Sequence, residues 1–215
     1  TARKADILIL NHHLLVSGLV TEEVLPEADV LVIDEGHRLE DAASECLGLA
    51  LSEGILTPVF DGIAFSDLEP SKKAPLLELA RSLSGSIAQL TEGIRETAFW
   101  DPVNNMEGLE EVRKTAAQLV DEVKGNETLS PVAKAALSIA AAARGFLAVS
   151  TEEYCCFVET GAKYPVLKGV PLDIGGDLNE TVYSSFDTVI LTSATLTVAG
   201  EFDFFRSRLG HKEFF

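Results

Sequence analysis

The chain has 215 residues, 47% of them hydrophobic, with 17 basic against 34 acidic side chains and a net charge of −17. Such a chain can bury one good core or two modest ones. It has no apolar run of about 18 residues and no signal-peptide pattern, so no membrane span is expected. The acidity is spread along the chain rather than gathered in a tail.

The first element is Val30-Leu31-Val32-Ile33, four consecutive apolar residues rich in β-branching. The run reads as a parallel-sheet strand buried on both faces. Residues 41–56 read as a helix, and three longer helical patterns follow. Leu76, Ala80, Leu83, Ile87, Leu90 and Ile94 alternate steps of four and three, as do Leu109, Val112, Ala116, Leu119 and Val123. The third runs through Val132, Ala136, Ile139, Ala143 and Phe146, with Ser130 as N-cap and Pro131 in its first turn. This spacing makes a seam for near-antiparallel helix packing. Breaks fall at Trp100-Asp101-Pro102-Val103-Asn104-Asn105 and at Gly125-Asn126.

After the bundle the period shortens to two. Tyr154 to Glu159 and Tyr164 to Leu167 flank Thr160-Gly161-Ala162-Lys163, which predicts a β-hairpin near 153–168. Pro165 limits its strand to a sheet edge. Leu178 to Ser184 reads as a short helix feeding a second buried-type strand, Thr188-Val189-Ile190-Leu191-Thr192.

Both buried-type strands end in polar clusters. The first runs into Asp34-Glu35-Gly36-His37, at the strand end where open α/β sheets bind their ligands. An Asp-Glu pair there suits nucleotide hydrolysis: one carboxylate holds Mg²⁺, directly or through water, and its neighbour orients or deprotonates the attacking water. The competing reading is a pair of solvated acids at a strand end. The second cluster is Ser193-Ala194-Thr195-Leu196. Alone it is a common capping sequence. Its hydroxyls can also hydrogen-bond an imidazole, and His37 ends the first cluster.

Taken together, the two motifs resemble the XPD/DinG family of superfamily 2 DNA helicases. Three stretches carry the resemblance. Ala5 to Leu15, with Asn11-His12-His13, is similar to the family's strand ending in an Asn-His/Tyr-x-x-Leu turn. Val30 to Asp41 is similar to its Walker B or DEAH box, with Gly36 where the family more often has Ala. Val170 to Leu196, then Phe202 to Phe205 and Leu209-Gly210, are similar to motif III and the exit beyond it. The middle of the chain matches in kind only.

The resemblance implies a fold class of α/β plus α: a partial RecA-like (P-loop NTPase) parallel sheet, a large inserted helical-bundle (arch) domain and a small β-hairpin. It implies motor domain 1 over 1–40, the arch over 41–176, a return to the motor over 177–200 and a lead into motor domain 2 over 201–215. It also implies ATP with Mg²⁺ as cofactor, Asp34 holding Mg²⁺-ATP, Glu35 positioning the hydrolytic water, and His37 bonding Ser193 or Thr195 around Ala194 to link nucleotide state to movement. The implied activity is 5′→3′ unwinding of single-stranded or forked DNA in repair or replication, in the cytoplasm. No Gly-x-x-x-x-Gly-Lys-Ser/Thr occurs. In the family that loop and a four-cysteine iron–sulfur site precede the Asn-His segment. The expectation is therefore an internal fragment, inactive alone and prone to self-associate through exposed strand edges. The alternative is a non-enzymatic interaction module on a degenerate motor fold.

Cys46, Cys155 and Cys156 lack C-x-x-C spacing and cannot form a four-thiolate site; they read as structural in a reduced cytosolic protein. His12 and His13 read as turn packing at a strand end. Scattered cations on the helical region, Lys72, Lys73, Arg81, Arg95, Arg113, Lys114 and Arg144, are the candidates for DNA contact, against the plainer reading of solvated helix faces.

Overall fold

The computed structural model describes residues 4–21, 25–197 and 200–210. It is a mixed helix-and-sheet chain of two compact units, 1–48 with 170–215 and 49–169.

In the first unit, strands β1 (Val30–Ile33) and β6 (Thr188–Leu191) pair in parallel, with Val30 opposite Thr188 and Ile33 opposite Leu191. Helices α1 (His12–Val20), α2 (Leu39–Leu47), α7 (Gly175–Thr181) and α8 (Asp203–Leu209) complete it. Its core gathers Leu15, Val16, Ile33, Leu39, Ala43, Leu178, Val182, Phe205 and Leu209. The two-sided burial expected for the first strand is not what forms. Leu31, Ile33, Val189 and Leu191 face this core, while Val30, Val32 and Ile190 are 53%, 59% and 46% exposed. A period of two lies hidden under a uniformly apolar sequence, because the described helices contribute their apolar side chains to one face only.

Two further expectations for this unit change. Residues 5–10 form no strand; Ile7 and Ile9 stay exposed, with no described strand beside them to complete a ladder. His12 and His13 open α1 rather than ending a strand, and Asn11 caps that helix by accepting from the Leu14 N–H at 2.7 Å.

The second unit joins helices α3 (Thr57–Ala64), α4 (Pro70–Leu90), α5 (Met106–Val123) and α6 (Ser130–Ala148) to a four-stranded sheet. That sheet has the order β2 (Leu49–Leu51), β5 (Val166–Pro171), β4 (Tyr154–Glu159), β3 (Ala98–Phe99). All residues of the three helical seams up to Phe146 are buried except Ile94, which lies past the end of α4 and packs on the core from its margin. Helix α5 packs against both α4 and α6. Gly62 lets α3 approach α6 closely, since a Cβ there would sit 2.6 Å from Val132 Cγ2.

The helix expected over 41–56 breaks at Gly48; residues 49–51 form β2 and 53–56 a 3-10 turn. Leu47, Leu51 and Ile55 keep a step of four, so a helical period survives in a segment whose backbone is paired to β5 instead. Ser130 does not cap α6: the cap is Leu129, and it is Asn126 that accepts from the Thr128 N–H of the preceding turn. Pro165 precedes β5, which runs between β2 and β4 and is therefore interior, not an edge. With its preceding turn, α6 (Glu127–Ala148) is long and apolar enough to cross a membrane by composition. Its stripe Val132, Ala136, Ile139, Ala143 and Phe146 lies in the core of this unit.

Candidate functional site

The parallel register of β1 and β6 brings the two polar clusters side by side. Beyond the last paired residues the ladder continues as a zipper: the Thr192 N–H donates to the Ile33 carbonyl, and the Gly36 N–H donates to the Thr192 carbonyl, each at 2.8 Å. Between these bonds sits Glu35, the one described non-glycine residue with positive φ, at φ 51 and ψ 47. A left-handed residue with a Cβ costs about 1 kcal/mol. Here it turns the chain sharply out of the strand and into the short Gly36–Arg38 turn that leads to α2. Gly36 itself is close to wall: a Cβ would meet Leu191 Cδ2 at 3.3 Å.

Asp34 is exposed, and its Oδ1 accepts from the Thr192 hydroxyl at 2.8 Å. That hydrogen bond, with the Glu35 N–H and the charge of His12 adding to it, holds the Asp34 carboxyl below the usual carboxylate range. His12, from the start of α1, donates through Nε2 to the Asp34 carbonyl at 2.9 Å. His37 Nδ1 lies 2.9 Å from Ser193 Oγ and 3.3 Å from Glu35 Oε2. A carboxylate facing that nitrogen requires it to carry the proton, so the Ser193 oxygen accepts. The same oxygen also accepts from the Thr195 N–H at 3.3 Å and lies 3.4 Å from Thr195 Oγ1.

The structure thus brings together Asp34, Glu35, His37, Ser193 and Thr195, with Ala194 between the last two. From the sequence, Thr192 reads as a strand end with no role of its own and His12 as turn packing. The sequence signal for Thr192 is its place at the end of an apolar, strand-like run; the strand register then sets it beside Asp34. Beside the cluster, a cavity of about 130 Å³ is lined by His37, Glu40, Thr195, Leu196, Phe204, Phe205, Arg208 and Leu209. Arg208 pairs with Glu40 there and fastens α8 to α2. The cavity is smaller than a typical cofactor pocket.

An open carboxylate of this kind suits Mg²⁺, which takes one or two carboxylates and fills its remaining positions with water and phosphate oxygens. Among the described residues no group of three or more His, Cys, Asp or Glu is arranged to hold a metal by protein alone. Cys46 lies on α2, Cys155 and Cys156 on β4; burial pushes the Cys156 thiol up to about 11, as befits an inert filler. Of the candidate cations, Arg81, Arg113 and Lys114 pair with glutamates on their own helices, and Lys73 donates to the Ala64 carbonyl.

In this chain Glu35→Gly should raise the free energy of unfolding by about 0.5–1 kcal/mol, since glycine adopts φ 51 without strain. Urea denaturation measures it; a destabilised variant would mean the turn is not under strain.

No protein-family model matches the chain. It is 26% identical to the ATP-dependent DNA helicase YoaA of Escherichia coli (strain K12), over 97% of this chain and 36% of that protein. It shows the same identity and coverage against YoaA of Haemophilus influenzae. A 50-residue stretch, 22% of the chain, is 38% identical to the ATP-dependent DNA helicase DinG of Salmonella typhimurium, covering 7% of that protein. The chain spans about a third of the length of the YoaA relatives. The likeness to ATP-dependent DNA helicases thus runs through almost the whole chain, and the two polar clusters that it includes stand side by side at the tips of the paired strands.

Proposed function

We propose that the chain is the nucleotide-hydrolysing and coupling portion of an ATP-dependent DNA helicase. On this reading the unit of 1–48 and 170–215 is part of a RecA-like motor domain, and the unit of 49–169 is an inserted arch. The observation that carries the reading is the parallel β1–β6 pairing, which sets Asp34-Glu35-Gly36-His37 against Thr192-Ser193-Ala194-Thr195. A hydrolytic pair needs one carboxylate that stays ionised and open, and a second that is aimed differently. Asp34 and Glu35 meet this: across the left-handed turn at Glu35, Asp34 faces the Thr192 hydroxyl while Glu35 faces His37.

The roles follow from the chemistry. Asp34 would hold the Mg²⁺ that accompanies ATP, which supplies charge neutralisation on the phosphates when bound. Glu35 would orient and accept a proton from the attacking water. His37, bonded to Ser193 and close to Glu35, is the side chain through which the state of the hydrolytic pair is felt at β6. The relatives are named as ATP-dependent DNA helicases, which supports DNA as the partner; the proposal takes it further, to single-stranded or forked DNA unwound 5′→3′ in repair or replication in the bacterial cytoplasm. The four-cysteine iron–sulfur site of the family would lie outside these residues.

The test is strand separation by the full-length protein on duplexes with a 5′ or a 3′ single-stranded tail. Unwinding of the 5′-tailed substrate alone is expected. Ser193→Ala combined with Thr195→Ala should reduce that unwinding far more than ATP turnover. No unwinding of either substrate would overturn the helicase reading, and equal loss of both activities in the double variant would overturn the coupling role.

A further inference from the structure

We infer that His12 and Thr192 are positioning residues that clamp the Asp34-Glu35 pair into its working geometry. The inference rests on the hydrolytic reading of that pair and adds to it two residues outside either acidic position.

Glu35 is held in a conformation that a residue with a Cβ leaves unless its surroundings over-determine it. A φ, ψ pair is fixed when the peptide groups on either side are fixed, and both are. The peptide before Glu35 is pinned at its carbonyl, Asp34 O, by His12 Nε2 at 2.9 Å. The peptide after it is pinned at its amide, Gly36 N–H, by the Thr192 carbonyl at 2.8 Å. A carbonyl can only accept, so His12 must carry its proton on Nε2. Thr192 then adds a third constraint through its hydroxyl, which donates to Asp34 Oδ1 at 2.8 Å and selects one carboxylate rotamer. Among the described residues, no side-chain donor meets the other carboxylate oxygen.

The three contacts come from α1 and from the tip of β6, elements far from Asp34 in sequence, so neither is a by-product of local turn chemistry. The hydroxyl is not needed to extend the ladder. Thr192 makes both of its ladder bonds through its backbone, and valine would keep them while losing only the bond to Asp34.

The experiment uses the full-length protein and a fluorescent ATP analogue, titrated once with Mg²⁺ and once in EDTA. Thr192→Val should weaken binding about tenfold in Mg²⁺, the scale of one hydrogen bond to a charged group, and leave binding in EDTA unchanged. Thr192→Ser should restore it. His12→Ala should lower kcat about tenfold with KM unchanged, because it frees the peptide that aims Glu35, and His12→Gln, which keeps an N–H donor, should recover part of the loss. A merely structural role predicts parallel losses in Mg²⁺ and EDTA for Thr192→Val, and that result would overturn the clamp. So would wild-type behaviour of both variants. Glu35→Gln run alongside separates the two levels: normal turnover there removes the hydrolytic reading and the clamp together, whereas a dead Glu35→Gln beside unaffected Thr192→Val and His12→Ala removes the clamp alone.

Discussion

Glu35→Gln in the full-length protein is expected to lower ATP turnover by at least about 100-fold, the usual contribution of a positioned general base, while nucleotide affinity stays close to that of the native protein. The substitution is nearly isosteric, and Glu35 is exposed, so no packing is lost. Its amide can still face His37 Nδ1, which lies 3.3 Å from the carboxylate in the native side chain. What the amide cannot do is take a proton from water. Asp34 and its contacts with Thr192 and His12 remain, which is why binding is predicted to survive. Steady-state turnover together with equilibrium nucleotide binding distinguishes this from a general loss of the site, in which both would fall.

The second large effect is structural and belongs to the other unit. Phe146→Ala should destabilise the helical unit by about 3–5 kcal/mol, the cost of deleting a fully buried aromatic ring. Phe146 has no exposed surface. It meets the edge of Trp100 with ring centroids 5.9 Å apart and planes inclined at 73°. Its ring also lies against Gly169 of β5, where a Cβ would come within 3.1 Å of Cε1. The site cannot collapse easily, because Trp100 is itself tethered through Nε1 to the Leu90 carbonyl at 2.9 Å. Trp100 is the only tryptophan in the chain, so its fluorescence during urea denaturation reports this unit directly. An unchanged midpoint would mean that the ring is not a keystone of the bundle–sheet contact.

The sequence made some of this legible and hid the rest for identifiable reasons. The three helical seams could be read because nearly every third or fourth residue from Leu76 to Phe146 is apolar, and the core takes them in that order. The two strand tips could be read because Val30 to Ile33 and Thr188 to Leu191 are continuous apolar runs that each stop at a polar cluster. Strands β2 and β3, of three and two residues, are too short to display a period. Leu47, Leu51 and Ile55 imitate a helix across β2. The bare side of β1 could not be foreseen, since Val30 and Val32 are as apolar as the buried Ile33 and only the placement of helices tells them apart.

At the site, residue types were informative where partners were not. Asp34, Glu35 and His37 stand out by chemistry. The hydroxyl of Thr192 and the ring of His12 acquire meaning only once the strand register is known, because Thr192 lies 158 residues from its acceptor and His12 lies 22 residues from its own. Likewise the left-handed turn at Glu35 has no signature in a stretch where glycine is the very next residue and would have been the natural place to expect it.

The most direct test of the central claim is ATP turnover by the full-length protein, measured with and without single-stranded DNA and repeated with Glu35→Gln. Turnover should rise strongly when DNA is added and disappear in the variant. Turnover absent under both conditions, or turnover that persists undiminished in Glu35→Gln, would contradict that claim.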